Sequence, residues 1–320
     1  MGIIRLTPSV KVALKLRDDA WRGADCIPDW VRGRSIGLDQ FNTDPKIAAY
    51  CWKSLQAVMK KRGSKIDDYK FIEPSAGTGA FYDLLPVGSR VGVDVEAYRS
   101  NYVCADFLTW KPHVNGKRYA AIGNPPFGYR GWLALAFINH AARWCDYVAF
   151  ILPMSFQSDG KSTPKHRVVG MKLIHSEVLP SNSFIKPDGE PVDVNTLWQI
   201  WARGELMPPR ADLSVCDEYF ELITVDLRPE RRCGHRRMKE CDYFLQRTFY
   251  SEPPDLVRDF KQVRYCCGYG IIFKKDVRRV TKLLRAVDWK KYSNLTTHHC
   301  HHISMYHIRQ ALLDAGLCDG

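Results

Sequence analysis

Two short β-type segments that each run into a loop dictated by glycine or proline constrain this chain more than any other feature. Tyr69 to Ile72 leads into Glu73-Pro74-Ser75-Ala76-Gly77-Thr78-Gly79-Ala80-Phe81, and Tyr119 to Ile122 leads through Gly123 into Asn124-Pro125-Pro126-Phe127. Gly77 and Gly79 have no side chain and tolerate positive φ, so backbone there can approach a ligand closely. The paired prolines fix φ at two successive positions and hold the carbonyls of Asn124 and Pro125 rigidly. A loop built for close approach and a rigid set of oxygen acceptors therefore follow two strands of the same region.

The surrounding sequence alternates strands with helices. Ile47, Cys51, Leu55 and Val58 recur at helical spacing, with Thr43 or Asp44 available as cap and Pro45 suited to a first turn. Val91 to Val95 reads as the strand after the glycine loop, Trp132 to Trp144 as a buried helix, and Tyr147 to Leu152 as a core strand closed by Pro153. Strand, helix, strand in this order predicts an α/β architecture: a Rossmann-like, doubly wound, mostly parallel sheet with ligands at the carboxyl ends of its strands. Ser155 to Arg167, rich in Ser, Gly, Lys and Pro, reads as an exposed loop beside those ends. Val192 to Arg203 returns to alternation, and the two prolines within Gly204 to Arg210 mark a boundary.

Residues 1–205 are thus expected to form the sheet domain and residues 206–320 a smaller basic one. In the latter, Arg231-Arg232, Arg236-Arg237, Lys274-Lys275, Arg278-Arg279 and Lys290-Lys291 alternate with Tyr243, Phe244, Phe249, Tyr250, Tyr265, Phe273 and Trp289. Ser304 to Ala315 is a helix candidate, with Ser304 as cap and Gly316 past its end.

Charge points to the partner. A net charge of +12 and a pI of about 9.2 attract polyanions, because each Lys or Arg near a phosphate releases condensed counterions. Nucleic acid, double-stranded DNA first, is the expected partner, and no membrane partner is expected: no apolar run approaches bilayer length, and Met1 to Val10 lacks a secretory apolar core. The expected location is cytoplasmic, associated with the nucleoid in a prokaryotic or phage setting. Eleven cysteines, an odd number without small-scaffold spacing, read mostly as reduced core thiols. Cys233, His235 and Cys241, or Cys266 and Cys267 with the tract His298 to His302, match no paired zinc-ligand spacing, so no metal is expected.

The glycine loop, the Asn-Pro-Pro-Phe tetrapeptide and the Asn-Thr-Asp-Pro helix start, in the order Thr-Asp-Pro, loop, tetrapeptide, basic extension, resemble the gamma-type N6-adenine DNA methyltransferases of the S-adenosylmethionine-dependent amino-methyltransferase family. The resemblance covers roughly residues 41 to 204, on the usual size of such a domain, and implies the class I methyltransferase fold. It implies that Glu73, Pro74, Ser75, Ala76, Gly77 and Gly79 form the cofactor loop. Asp94 would bind the ribose hydroxyls, with Glu96 as a competing candidate and a solvated strand-end carboxylate as the plain alternative. Asp106 would accept from the cofactor's adenine amine while Phe107 packs on its ring, or Asp106 would simply cap. Thr43 would meet the methionine carboxylate at a helix N-terminus, or cap that helix.

The same resemblance makes Asn124, Pro125, Pro126 and Phe127 the catalytic set. The Asn124 side-chain carbonyl and the Pro125 carbonyl would take the two N–H bonds of a target amine and aim its lone pair, which is positional and electrostatic catalysis. Phe127 would stack on an extruded base, with Phe184 as a second aromatic wall or as a core residue. Residues from about 210 onward would read the target sequence. Cytosine carbon-5 chemistry needs a nucleophilic cysteine, typically after proline, and the chain has no Pro-Cys pair. Cytosine N4 transfer, N6-adenine methylation of RNA, protein glutamine methylation and a catalytically silent nucleic-acid-binding subunit are the competing functions.

Overall fold

The computed structural model describes residues 3–4, 36–37, 42–96, 98–113, 116–128, 131–158, 163–186, 189–204, 211–296 and 298–318. The expected boundary at 205–210 and most of the segment 1–10 lie outside the described residues. The chain divides into two units, one of residues 1–156 and 163–207, the other of 157–162 and 208–320.

In unit 1, after an antiparallel pair of Ile3–Ile4 with Ile36–Gly37, the elements are β1 (Asn42–Thr43), α1 (Pro45–Lys61), β2 (Tyr69–Glu73), β3 (Arg90–Asp94), β4 (Val103–Cys104), β5 (Arg118–Gly123), α2 (Trp132–Ala141), β6 (Cys145–Pro153), β7 (Met171–Val178), β8 (Phe184–Ile185), β9 (Pro191–Val192) and β10 (Thr196–Arg203). Seven of these form one sheet in the order β4-β3-β2-β5-β6-β10-β7. All neighbours run parallel except β10, which is antiparallel to both β6 and β7. This is the α/β, mostly parallel sheet that the strand and helix pattern predicts. A separate small antiparallel sheet has the order β9-β8-β1.

Burial explains the strand sequences. Central parallel strands are covered on both faces, so Tyr69, Phe71 and Ile72 of β2, and Val148 to Leu152 of β6, are fully buried. Against one face lies α1, whose Ala48, Cys51, Trp52, Leu55 and Met59 form a stripe at helical spacing. Trp52 meets Phe71 edge-on at 5.0 Å, and the Trp198 indole of β10 donates to Ser54 Oγ at 3.1 Å. α2 is apolar nearly all round and is buried over eight of its ten residues.

Two sequence expectations need correction here. The segment 155–167 is not simply an exposed loop: Phe156, Thr163 and Pro164 are buried, with Thr163 Oγ1 donating to the Ser155 carbonyl at 2.9 Å. Apolar anchors in a Ser- and Lys-rich segment carry no periodic signal. Nor are the cysteines mostly core thiols. Every described cysteine is free, but only Cys51, Cys145, Cys216 and Cys267 are buried, while Cys104, Cys233, Cys266 and Cys318 are exposed.

Unit 2 is built on an antiparallel sheet. β11 (Phe220–Asp226), β12 (Tyr243–Gln246), β14 (Leu256–Val257) and β15 (Cys267–Phe273) pair in the order β11-β15-β12-β14. β13 (Thr248–Phe249), β16 (Asn294–Leu295) and β17 (His301–His302) make a three-stranded ribbon in the order β13-β17-β16, and the helices are α3 (Val277–Ala286) and α4 (Met305–Asp314). The period-2 pattern of β11 splits its side chains. Phe220 and Leu222 join a core with Val280, Leu284, Ile308 and Leu312, while Ile223 and Val225 join Phe244, Phe260 and Val263 on the opposite face. α4 starts where the sequence predicts, with Ser304 and His307 forming a reciprocal capping box and Gly316 at φ 81° just beyond its end.

Candidate active site

Parallel register brings the carboxyl ends of β2, β3 and β5 to one edge of the sheet. Ile72 pairs with Ala121 on one side and Val91 on the other, so Glu73, Asp94 and Asn124 all emerge at that edge. The two sequence motifs then touch: Ser75 Oγ donates to the Asn124 backbone carbonyl at 3.0 Å. A Cβ placed on Gly123 would stand 3.3 Å from Glu73 Cγ and 3.5 Å from Pro74 Cδ, which is why the strand closes on glycine before Asn124.

The glycine loop is held from beneath by β3. Ala76 N–H donates to the Val93 carbonyl at 3.1 Å, and Gly77 N–H donates to Asp94 Oδ2 at 2.8 Å. Asp94 Oδ1 accepts from Glu96 N–H at 3.0 Å. Asp94 therefore organises the loop, and each of its oxygens keeps further acceptor capacity for a hydroxyl. Glu96 is exposed, whereas Asp94 is buried. Gly77 and Gly79 adopt φ of 46° and 96°, in the left-handed region that glycine suits.

Arg99 and Tyr102 close over Gly79, and neither was among the residues expected from the sequence. A Cβ at Gly79 would fall 2.5 Å from Arg99 Nη2 and 2.7 Å from the Tyr102 hydroxyl. Arg99 donates to the Thr78 carbonyl and forms a two-pronged pair with Asp83 at 2.6 and 2.8 Å. That hydrogen bond holds the Asp83 carboxyl below its ordinary range, and burial pushes the Tyr102 phenol up to about 12. No compact motif announces them: they follow β3 in the irregular stretch Arg99-Ser100-Asn101-Tyr102.

Two carboxyls at this edge carry a buried oxygen without a partner. Glu73 is 3% exposed, and burial raises its carboxyl well above the usual carboxylate range against the opposing Tyr82 and Phe81 N–H groups; Oε2 has no partner. Asp106 Oδ1 accepts from Leu108 N–H at 2.9 Å, while Oδ2 is buried and unpartnered, and burial raises this carboxyl too. An acceptor pointing at no protein donor is what an exocyclic amine of a ligand requires.

The aromatic candidates are placed differently from expectation. Phe107 is 1% exposed, with Phe137 and His140 at 5.1 Å and Trp110 and Trp144 at 6.2 and 6.5 Å. Its ring faces are spent on protein, so it supports the Asp106 turn from within the core. Phe184 is likewise 1% exposed and belongs to the main core, which is the core alternative open to it from sequence. Phe127 is half-buried against the same core, and its carbonyl accepts from Leu133 and Ala134 N–H at 3.1 and 3.3 Å, tying the tetrapeptide to the start of α2. Thr43 is buried in β1 opposite Phe184, and the cap of α1 is Asp44, whose carboxylate accepts from Lys46 N–H at 2.7 Å. Pro125 is buried and Pro126 half-buried. Asn124 Oδ1 is buried beside them.

No protein-family model and no curated protein matches this chain. Among solved structures, a proposed RNA methyltransferase from Pyrococcus horikoshii is 16% identical at a TM-score of 0.37, over 63% of this chain and all of its own. The modification subunit of a proposed type I restriction enzyme from Vibrio vulnificus is 12% identical at 0.38, over 70% of this chain and 52% of its own. The 23S rRNA methyltransferase ErmE is 16% identical at 0.37, over 54% and 72%. Overlaps this distant carry no weight for substrate or reaction. The strand order and the single reversed strand make an α/β, mostly parallel sheet, the architecture that the resemblance to class I methyltransferases implies.

Among the described residues, no group of three or more His, Cys, Asp or Glu is placed to hold a metal, and no helix is long and apolar enough to cross a membrane.

Proposed function

We propose that unit 1 transfers a methyl group from S-adenosylmethionine to the N6 amine of adenine in DNA. The observation that carries this reading is the 3.0 Å bond from Ser75 to the Asn124 carbonyl, which joins a glycine loop suited to a nucleoside and a rigid acceptor set suited to an amine. When bound, S-adenosylmethionine supplies an electrophilic methyl on a sulfonium.

The chain's residues would hold it from three sides. Gly77 and Gly79 admit it against backbone, Asp94 offers remaining acceptor capacity to ribose hydroxyls, and Asp106 Oδ2 accepts from the adenine amine. At the target, the Asn124 side-chain oxygen and the Pro125 carbonyl would accept the two N–H bonds of the adenine amine. That draws its lone pair out of ring conjugation and toward the methyl; the proton released afterwards passes to solvent. Holding two reactants in such geometry supplies much of a displacement barrier without a strong base. Unit 2, with its basic pairs, would bind the DNA, attracted by phosphate charge.

Incubating the protein with methyl-labelled S-adenosylmethionine and either duplex DNA or structured RNA, then digesting to nucleosides, tests this directly. N6-methyladenine in the DNA digest is the expected product. Label confined to RNA, to cytosine or to protein would overturn the DNA-adenine assignment.

A further inference from the structure

Most of the aromatics that alternate with basic pairs in the sequence of unit 2 are core residues: Tyr243, Phe244, Phe249 and Trp289 are buried. Two are not. Tyr250 and Tyr265 are 53% and 57% exposed, and both line one cleft of about 260 Å³, with Phe249 also in its wall. Exposed aromatic surface gathered on one cleft, unlike a lone exposed side chain, marks an interaction site.

The backbone beneath one of them is strained. Tyr265 and Cys266 stand at φ 61° and 49°, two successive non-glycine residues in the left-handed region that side chains rarely adopt. Arg264 N–H donates to Gln246 Oε1 at 3.1 Å and anchors the strained turn to the end of β12. The surrounding structure thus holds Tyr265 out in an unfavourable conformation beside Tyr250.

We infer that this cleft receives a single unpaired nucleobase, stacked against Tyr250 and Tyr265, with its amine side toward Glu252 and Asp255. The cavity is smaller than the roughly 300–1,000 Å³ of sites for drug-sized ligands, which suits one planar ring system. The lining carries two carboxylates, Glu252 and Asp255, beside one cation, Arg264; the carboxylates accept from exocyclic amines, so the amine side of a base faces them. Adenine, guanine and cytosine carry such amines; thymine and uracil do not. Stacking on aromatic rings is a sequence-tolerant way to bind an unpaired base. The inference rests on the nucleic-acid reading of unit 2 and adds to it a base-binding subsite separate from the Asn124 edge.

The full-length protein would be titrated with duplexes carrying a bulged 2-aminopurine, and with fully paired controls, following both affinity and base fluorescence. Tyr265→Gly removes the ring while relieving the positive φ, so folding is retained; Tyr265→Phe keeps the ring. The bulged duplex should bind wild type and Tyr265→Phe more tightly than the paired one, with quenched fluorescence. Tyr265→Gly and Tyr250→Ala should each lose about 5- to 150-fold on the bulged duplex alone. Equal affinity and equal fluorescence in wild type and both ring-deleted variants would overturn the inference. S-adenosylmethionine affinity, measured in the same samples, separates the two proposals: its absence in wild type would sink the methyltransferase reading while leaving the cleft result standing.

Discussion

Unit 1 and unit 2 each bury a sheet between covered faces, yet they display chemistry in different ways. In unit 1 the strands run parallel, so the loops that follow β2, β3 and β5 all emerge on one edge, and glycine and proline specify their backbone. In unit 2 neighbouring strands pair antiparallel, so their carboxyl ends are divided between the two ends of the sheet, and the notable feature is two exposed rings, one of them on a strained turn. Chemistry carried by backbone can be read as a short contiguous string. Chemistry carried by side-chain exposure cannot, because a basic and aromatic sequence looks the same whether its rings point inward or outward.

If unit 1 works through backbone-held oxygens, the largest effect in the molecule belongs to Asn124. Asn124→Ala should lower single-turnover methyl transfer by about 10²–10³-fold while leaving S-adenosylmethionine affinity nearly unchanged, as loss of one preorganised electrostatic partner does elsewhere. Undiminished transfer would remove Asn124 from the mechanism. Next comes the loop itself. Gly79→Ala drives a methyl into Arg99 and Tyr102, and Gly77→Ala meets nothing within 4 Å, although both have positive φ. Calorimetry should therefore show Gly79→Ala losing cofactor affinity by tenfold or more and Gly77→Ala losing less, since strain of about 1–3 kcal/mol acts on both but the clash on one. Equal losses would mean that φ alone matters there. Ser75→Ala should cost about five- to tenfold in transfer, the worth of one hydrogen bond of about 1 kcal/mol.

Legibility followed the same division. The glycine loop, the proline pair and the strands that precede them were readable because φ restriction and short continuous apolar runs are local, and the capped ends of α1 and α4 were readable because capping is local too. Arg99 and Tyr102 were not, because they reach Gly79 through the folded turn after β3. Sequence left Phe184 open between an aromatic wall and the core, and placed Phe107 on the cofactor ring; their near-complete burial is a tertiary fact that no local pattern carries. β10 was legible as a strand, but its reversed direction was not, since alternation carries no polarity.

Smaller effects distinguish the units by pH. Glu73 has its carboxyl pKa raised by burial, so stability declines as pH rises from its unfolded value of about 4.5 through the folded one. Glu73→Gln should flatten that slope in pH-dependent urea melts of unit 1. In unit 2, burial and then Arg247 depress the His302 imidazole to about 4 from 6.5. Its neutral form is the one the fold accommodates, so stability is complete above pH 6.5 and is lost as pH falls toward 4. His302→Gln should remove that acid slope, and an unchanged acid profile would contradict the placement of His302.

The central claim is that the loop at 73–79 and the tetrapeptide at 124–127 form one site. A crystal structure with S-adenosylmethionine bound tests it most directly. Density is expected against Gly77 and Gly79, with an adenine amine at Asp106 Oδ2 and a methyl facing the Asn124 side chain and the Pro125 carbonyl. A cofactor bound elsewhere, or one whose methyl points away from residues 124–127, would contradict it.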